Sequence, residues 1–419
     1  MKSLLLAIAL VSVGTLAEAA DFYGISGSRI HGAEPGSMLS NWSPKVNVTS
    51  ISGDGSTIAG STQMLGINFD CASQDCSSSG FVWAYEAEQG YSLGRLPETD
   101  YPFANPKRVE ALSYDGSTAL VSYEHSFGYA SGLVHGETIT PLRSSTPTDE
   151  WLNGFAMSAD GSKVVGTSST GPRMWTAEQG MVALPSIESA PATRPSAISS
   201  DGSTILLNNW NTYAGGAITA AGFGTAVRFT PDGELFELPA DNAAGTSRVA
   251  ASSFDGSVVV GSWTPVMTMD GWFKSHATKW VNGEPISLEM GGSSVALDVS
   301  ADGETIVGTL DFSDPLTDAY FEPIAMLWAN GKSYELETML RDKYGLGSKL
   351  DGWKLTSATA ISDDGRVIAG NGIDPAGNQS AWVAVLRVPE PASAMLLVVV
   401  GCLVLAMARV RAAKPANAL

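Results

Sequence analysis

Carboxylates dominate the residues that could do chemistry. Seven aspartates recur in one short phrase, Ser-x-Asp-Gly: Asp54, Asp115, Asp160, Asp201, Asp255, Asp302 and Asp364. Two carboxylates facing one pocket can act as acid and base on a glycosidic bond. Several around one point can hold a divalent cation. Repetition argues against both roles. These aspartates return 61, 45, 41, 54, 47 and 62 residues apart, each followed by glycine, so they are read as structural turn residues. The unrepeated Asp270, Asp311, Asp314 and Asp318 are the better candidates for carboxylate chemistry, and the sequence does not choose among them.

Other reactive types are sparse. His31, His125, His135 and His276 lie in separate segments, without H-E-x-x-H or comparable ligand spacing. There is no G-x-S-x-G nucleophile elbow and no phosphate-binding glycine loop before a helix. No catalytic residue and no metal site is assigned, and the chain is read as a binding protein rather than an enzyme. Cys71 and Cys76 flank a four-residue loop and are read as a loop disulfide of an exported protein. Cys402 sits in an apolar run and is read as a buried small residue.

The formal net charge is −19. The two terminal segments described below hold four basic and two acidic residues, which leaves the body at −21. Such a body disfavours nucleic acid and anionic membrane surfaces as partners. No cofactor is implied, and calcium is the one cation that the acidity leaves open.

The elements that position these residues follow from the repeated phrase. Asp-Gly between two apolar-alternating runs is a hairpin signal, because glycine takes positive φ freely and aspartate bonds its own nearby backbone. In Ala358-Thr359-Ala360-Ile361-Ser362 the residues fall on alternating faces, as a strand requires. After the turn, Val367-Ile368-Ala369-Gly370 is apolar on both faces, which suits a strand between neighbouring sheets.

A second phrase follows each turn: a large residue, a turn, then a run closing on Leu. Its copies carry Trp83, Trp175, Phe229, Trp280 and Trp328. The second repeat has Val134 instead, and the last has Trp382 with no closing run after it. Two hairpins per repeat make a four-stranded antiparallel unit, and seven such units stacked radially bury both faces of each. The expected fold is all-β, a seven-bladed β-propeller over residues 20–387 with a large ring filling the space between blades. The strand missing from the last blade has a candidate donor in Phe22-Tyr23-Gly24-Ile25-Ser26-Gly27. A flat β-solenoid fits less well, because the repeat lengths vary. Residues 336–351 read as a short helix and turn decorating the last connection.

The recurring Ser-x-Asp-Gly-x-x-Val-x-Gly, often followed by Ala-x-x-Trp, resembles the extracellular HAF-type repeat family over roughly residues 48–386. Residues 352–361 are similar to that family's usual final repeat. The resemblance implies an exported β-repeat domain and no particular reaction.

The termini carry addresses. Lys2, an apolar run over residues 4–13 and Ala17-Glu18-Ala19 have the form of a secretory signal peptide over residues 1–19. Near the other end, Pro389-Glu390-Pro391 precedes seventeen uncharged residues, 392–408, just long enough to span a bilayer as a helix. Arg409, Arg411 and Lys414 follow as a basic stop on the cytoplasmic side, leaving the body outside. This order over residues 388–419 is similar to the PEP-CTERM sorting signal of Gram-negative bacteria, with Pro389, Glu390 and Pro391 matching its motif. That resemblance implies processing by an exosortase-type enzyme, anchoring in the inner membrane beforehand, and association with cells that make exopolysaccharide.

Longer insertions are expected at 64–80, 98–108, 143–153, 186–196, 210–224, 264–275 and 311–323. Aromatics such as Trp210, Tyr213, Trp263, Trp272, Phe273, Tyr320 and Phe321 lie in or beside them. Loops between blades commonly carry binding residues, and aromatic rings can stack on sugars. The first reading is therefore an exported surface or matrix protein whose propeller binds polysaccharide or protein. The alternatives are an extracellular propeller enzyme acting on polysaccharide, which an unrepeated carboxylate pair in one pocket would favour, and a purely structural matrix component.

Overall fold

Seven Asp-Gly turns set the frame. The glycines Gly55, Gly116, Gly161, Gly202, Gly256, Gly303 and Gly365 all take φ between 68° and 74°, a region that glycine enters without a Cβ clash. Each turn joins the first two strands of a four-stranded antiparallel sheet, and there are seven such sheets. The computed structural model describes residues 20–25, 45–63, 78–84, 89–92, 106–125, 128–136, 138–144, 150–185, 193–209, 225–230, 233–241, 245–265, 274–288, 291–311 and 322–386.

Blade 1 runs from Lys45 to Ser92, blade 2 from Pro106 to Pro141 and blade 3 from Asn153 to Ala183. Blade 4 runs from Thr193 to Leu238, blade 5 from Thr246 to Ser287 and blade 6 from Ser293 to Glu335. Blade 7 takes its first three strands, Lys354–Ile361, Val367–Ile373 and Gln379–Leu386, from the end of the described chain. Its fourth is the N-terminal strand Ala20–Ile25, which pairs antiparallel with the third from Ala20↔Leu386 to Ile25↔Ala381. The first strands of successive blades contact one another around the whole circle, the seventh touching the first. The fold is a closed seven-bladed β-propeller. The closing strand lies two residues earlier than the expected Phe22–Gly27, and Ser26 and Gly27 lie outside the described residues.

The large rings sit between blades. Trp83, Trp280, Trp328 and Trp382 are at most 3% exposed. Trp83 packs with Val367, Ala369 and Val383 of blade 7, and Trp280 with Leu206, Ala226 and Leu238 of blade 4. Two of these rings also latch the preceding blade: Trp280 Nε1 donates to the Pro239 carbonyl at 2.8 Å and Trp328 Nε1 to that of Leu288 at 2.9 Å. Trp280 and Trp328 thus each bury a large apolar surface and satisfy their one donor.

Strict alternation along the first strands is a corrected expectation. All seven carry a β-bulge five residues before the turn aspartate, including one between Ala358 and Ala360. The bulge brings the first strand's carbonyl against the second strand. A Cβ on Gly60, Gly166, Gly261, Gly308 or Gly370 would overlap the carbonyl of Asn47, Asn153, Arg248, Val295 or Ser357. That close approach is why the repeated phrase usually ends in glycine. The insertions are also shorter than expected, since residues 78–80, 106–108 and 193–196 belong to strands.

Topology gives the two ends of the propeller different characters. The first-to-second and third-to-fourth connections leave from one end, here the turn face. The second-to-third and blade-to-blade connections leave from the other, the loop face, and all seven insertions fall there. The connection from blade 6 to blade 7 holds α1 (Leu336–Asp342), which buries Leu336 and Leu340 between the two blades, followed by a 3-10 turn at Gly347–Lys349. Lys349 pairs with Asp21, and Trp353 packs edge-on to Phe22 at 5.4 Å, clamping the closing strand.

Candidate functional site

The repeat aspartates are built into their turns. In every blade the aspartate Oδ1 accepts from the hydroxyl of the preceding serine, at 2.6–3.1 Å. It also accepts from the backbone N–H two residues on, at 2.8–3.0 Å. The serine oxygen in turn accepts from the N–H five residues ahead of it, at 2.8–3.1 Å. All seven serines are buried, so the network satisfies polar groups that water does not reach. Bonds to the carboxylate stabilise its charged form. The backbone and hydroxyl of Ser117, then the Ser113 hydroxyl, hold Asp115 at about 2.

The residue between serine and aspartate forms a second ring. Tyr114 N–H donates to Ala159 O, Ala159 to Ser200, Phe254 to Ala301, Ala301 to Asp363 and Asp363 to Gly53. Two links use the aspartate instead, Asp54 N–H to Tyr114 O and Asp201 N–H to Phe254 O. Seven bonds of 2.7–3.1 Å close a circle around the axis on the turn face.

Within that circle opens a central channel of about 330 Å³, lined by the first strands of all seven blades. The bulged residues Thr49, Glu110, Phe155, Ser196, Ala250, Leu297 and Thr359 are all part of this lining. Its charged lining is Arg108, Glu110, Asp298 and Asp363. Arg108 and Glu110 pair at 3.2 Å, which leaves two unbalanced carboxylates.

Asp298 stands where five blades have alanine: Ala111, Ala156, Ala197, Ala251 and Ala360. Its Oδ1 accepts from Val299 N–H at 2.9 Å and its Oδ2 from Ile361 N–H of blade 7 at 2.8 Å. Ser50, the equivalent in blade 1, reaches Leu112 N–H of blade 2 in the same way, at 3.2 Å. Part of the Asp298 side chain stays open to the hollow channel, but protein surrounds it at depth. Loss of bulk water pushes its carboxyl up to about 7, against the two backbone bonds, and Asp363 adds repulsion. Asp363 is raised too, by burial first and then by Asp364 and Asp54. It lies at the turn-face mouth, where a side chain on Gly53 would run into both its carboxylate and the Tyr114 ring.

Of the unrepeated carboxylates favoured from sequence, Asp311 ends the second strand of blade 6 on the loop face. Asp270, Asp314 and Asp318 lie outside the described residues. The carboxylates that do share a pocket, Asp298 and Asp363, were missed. The signal for Asp298 was present as a break in the run of alanines, and for Asp363 as an acid at an otherwise variable turn position. Among the described residues no group of three or more His, Cys, Asp or Glu could hold a metal ion. His276 stacks on Trp263 at 4.8 Å, and His135 Nδ1 lies 3.1 Å from Thr118 Oγ1. Cys71, Cys76, Cys402, Pro389, Glu390, Pro391, Arg409, Arg411 and Lys414 lie outside the described residues. So do residues 1–19 and the span 392–408. No described helix is long and apolar enough to cross a membrane.

These features define a closed propeller with a polar axial channel. The fold is similar to that of an oligogalacturonate lyase from Vibrio parahaemolyticus: TM-score 0.53, 11% identity, covering 89% of this chain and 98% of that one. It is also similar to the Cps50 (Swd1) propeller domain of Myceliophteria thermophila, at TM-score 0.45, 10% identity and coverage of 83% and 98%. TolB from Acinetobacter baumannii gives TM-score 0.39 at 12% identity, covering 80% of this chain and 65% of that one, so the match spans under two thirds of TolB. No family model and no curated protein matches the sequence.

Proposed function

We propose that this chain is an exported surface or matrix protein of a Gram-negative bacterium, delivered through its C-terminal Pro-Glu-Pro signal, whose propeller binds polysaccharide or protein. One observation carries the reading. The propeller begins at Ala20 and ends at Leu386, and these two residues face each other in register. The folded unit therefore fills the interval between the signal-peptide cleavage point after Ala19 and the Pro389-Glu390-Pro391 motif. Both addresses join the same end of one blade, the turn face, so either can be removed without opening the ring. While residues 392–408 anchor the chain, the turn face is nearer the inner membrane and the loop face points outward. An exosortase-type enzyme is the processing partner. Acidity of the body argues against nucleic acid.

The acid channel also bears on the ligand. The Vibrio neighbour is named for a polyanionic substrate. Here Asp298 and Asp363 repel anionic sugars, so the polysaccharide in this reading is neutral or cationic. A second reading, an enzyme acting on polysaccharide, draws on the same two carboxylates lining one pocket. It ranks lower because both Asp298 oxygens are taken up by backbone N–H groups.

The test is processing in the producing cell. Changing Pro389, Glu390 and Pro391 to alanine should leave the full-length chain in the inner membrane and empty the surface fraction. Unchanged size and surface delivery of that variant would refute the sorting reading.

A further inference from the structure

We propose that a cavity on the outer rim between blades 5 and 6 binds a small monocarboxylate carried on an apolar body. The site lies apart from the axial channel and does not depend on what the channel holds. It starts from another departure from repetition. On the third strand of each blade, one register position faces the following blade, and five blades fill it with Val82, Leu133, Met174, Leu327 and Val383. Those five side chains pack into the apolar clusters between blades. Blade 4 has Arg228 at that position and blade 5 has Lys279. Lys279 stands across from Val260 and Ile286 in its sheet, and Val260 packs with Ile306 and Trp328 of blade 6. The lysine therefore faces blade 6. A cation in a slot that an aliphatic residue fills elsewhere gives up packing and part of its hydration. Among the described residues the Lys279 ammonium makes no ion pair and no hydrogen bond, in a body whose net charge is −21.

The space beside Lys279 has the size and chemistry of a ligand site. The cavity measures about 540 Å³, within the ~300–1,000 Å³ of small-molecule sites. Its charged lining is Lys279 from blade 5, with Glu304 and Lys332 from the two turn-face hairpins of blade 6. The Lys332 ammonium, like that of Lys279, is unpaired among the described residues. Two positive groups and one negative leave +1, which a single carboxylate balances. A carboxylate can accept charge-assisted hydrogen bonds from two ammonium groups at once. Ile286, Leu288 and Ile306 supply an apolar wall. An apolar body laid against that wall leaves water and adds affinity in proportion to its area. A bare inorganic anion forfeits that gain, and an uncharged body forfeits the two ammonium groups. The site therefore asks for one negative charge and an apolar body in the same small molecule.

The test is titration calorimetry on the purified full chain in nonionic detergent at neutral pH. Four probes share one body and differ in charge: 3-phenylpropionate, the neutral 3-phenylpropanol, the cationic 3-phenylpropylamine and the dianionic benzylmalonate. Inorganic phosphate is the fifth. The propionate should bind about tenfold or more tighter than the alcohol, the amine and phosphate should not bind, and benzylmalonate should bind no tighter than the propionate. Lys279→Leu restores the residue that blades 2 and 6 carry. It should bring the propionate down to the affinity of the alcohol, at an unchanged or higher melting temperature. Lys332→Gln, in an exposed turn, should weaken the propionate by about fivefold. Glu304→Gln should make benzylmalonate the tighter ligand. Equal affinity for acid and alcohol, or wild-type affinity in both lysine variants, would overturn the proposal. So would phosphate binding as tightly as the propionate, or benzylmalonate binding tighter to the wild type, since the site would then read charge alone or a dianion. No binding of the propionate at millimolar concentration would also overturn it, and would leave Lys279 as a packed stem with its ammonium in water.

Discussion

The two faces of the propeller differ in what they repeat. On the turn face, serine, aspartate and glycine return in all seven blades and make the same bonds each time. On the loop face, connections differ in length and composition from blade to blade. Repetition marks what the fold needs, and departures from it mark what the fold leaves free. The turn face carries such departures as well, at Tyr114, Phe254 and Asp363. Asp298 is another, deeper in the channel.

Breaking the turn-face scaffold should cost most. Gly308→Val forces a side chain against the Val295 carbonyl and the Trp328 ring. It should destabilise by more than ~3 kcal/mol, read as loss of a cooperative melt or a large drop in denaturation midpoint. Next comes Ser362→Ala. It removes the acceptor for Val367 N–H and one donor to Asp364, at a cost of ~1–3 kcal/mol.

Asp298→Ala sharpens the comparison, because it restores the residue that five blades already use. The sign follows from its raised pKa of about 7. An acid with a folded pKa above its unfolded value costs nothing below the unfolded pKa, costs more as pH rises, and reaches its full penalty above the folded one. Wild-type melting temperature should therefore fall between roughly pH 4 and 8 relative to the variant, by at most ~4 kcal/mol equivalent. Parallel melting curves across that range would remove the buried-charge account. Smallest is a change on the loop face. Replacing residues 210–224 with a Gly-Ser linker of equal length should shift stability by no more than ~0.5 kcal/mol.

Most of the fold was legible in the sequence because local chemistry enforces it. Asp-Gly dictates the turn, the glycine six residues after five of the seven aspartates answers a bulged carbonyl, and Trp382 without a closing run pointed to an N-terminal partner strand. The bulges were not legible, since a skipped residue such as Thr359 or Leu297 keeps an ordinary strand composition. They lie along the channel, where the bulged residue of every blade is part of the lining. Asp298 and Asp363 were not legible as neighbours, because one lies on the first strand of blade 6 and the other in the turn of blade 7, and only the closed ring brings positions so far apart in sequence into one lining.

The central claim is that the propeller binds a polysaccharide without cleaving it. The most direct measurement mixes the purified chain with the producing cell's exopolysaccharide and follows co-sedimentation and reducing ends together. The account predicts co-sedimentation with no rise in reducing ends. A steady release of reducing ends, lost in Asp298→Ala or Asp363→Asn, would contradict it and make the channel carboxylates catalytic.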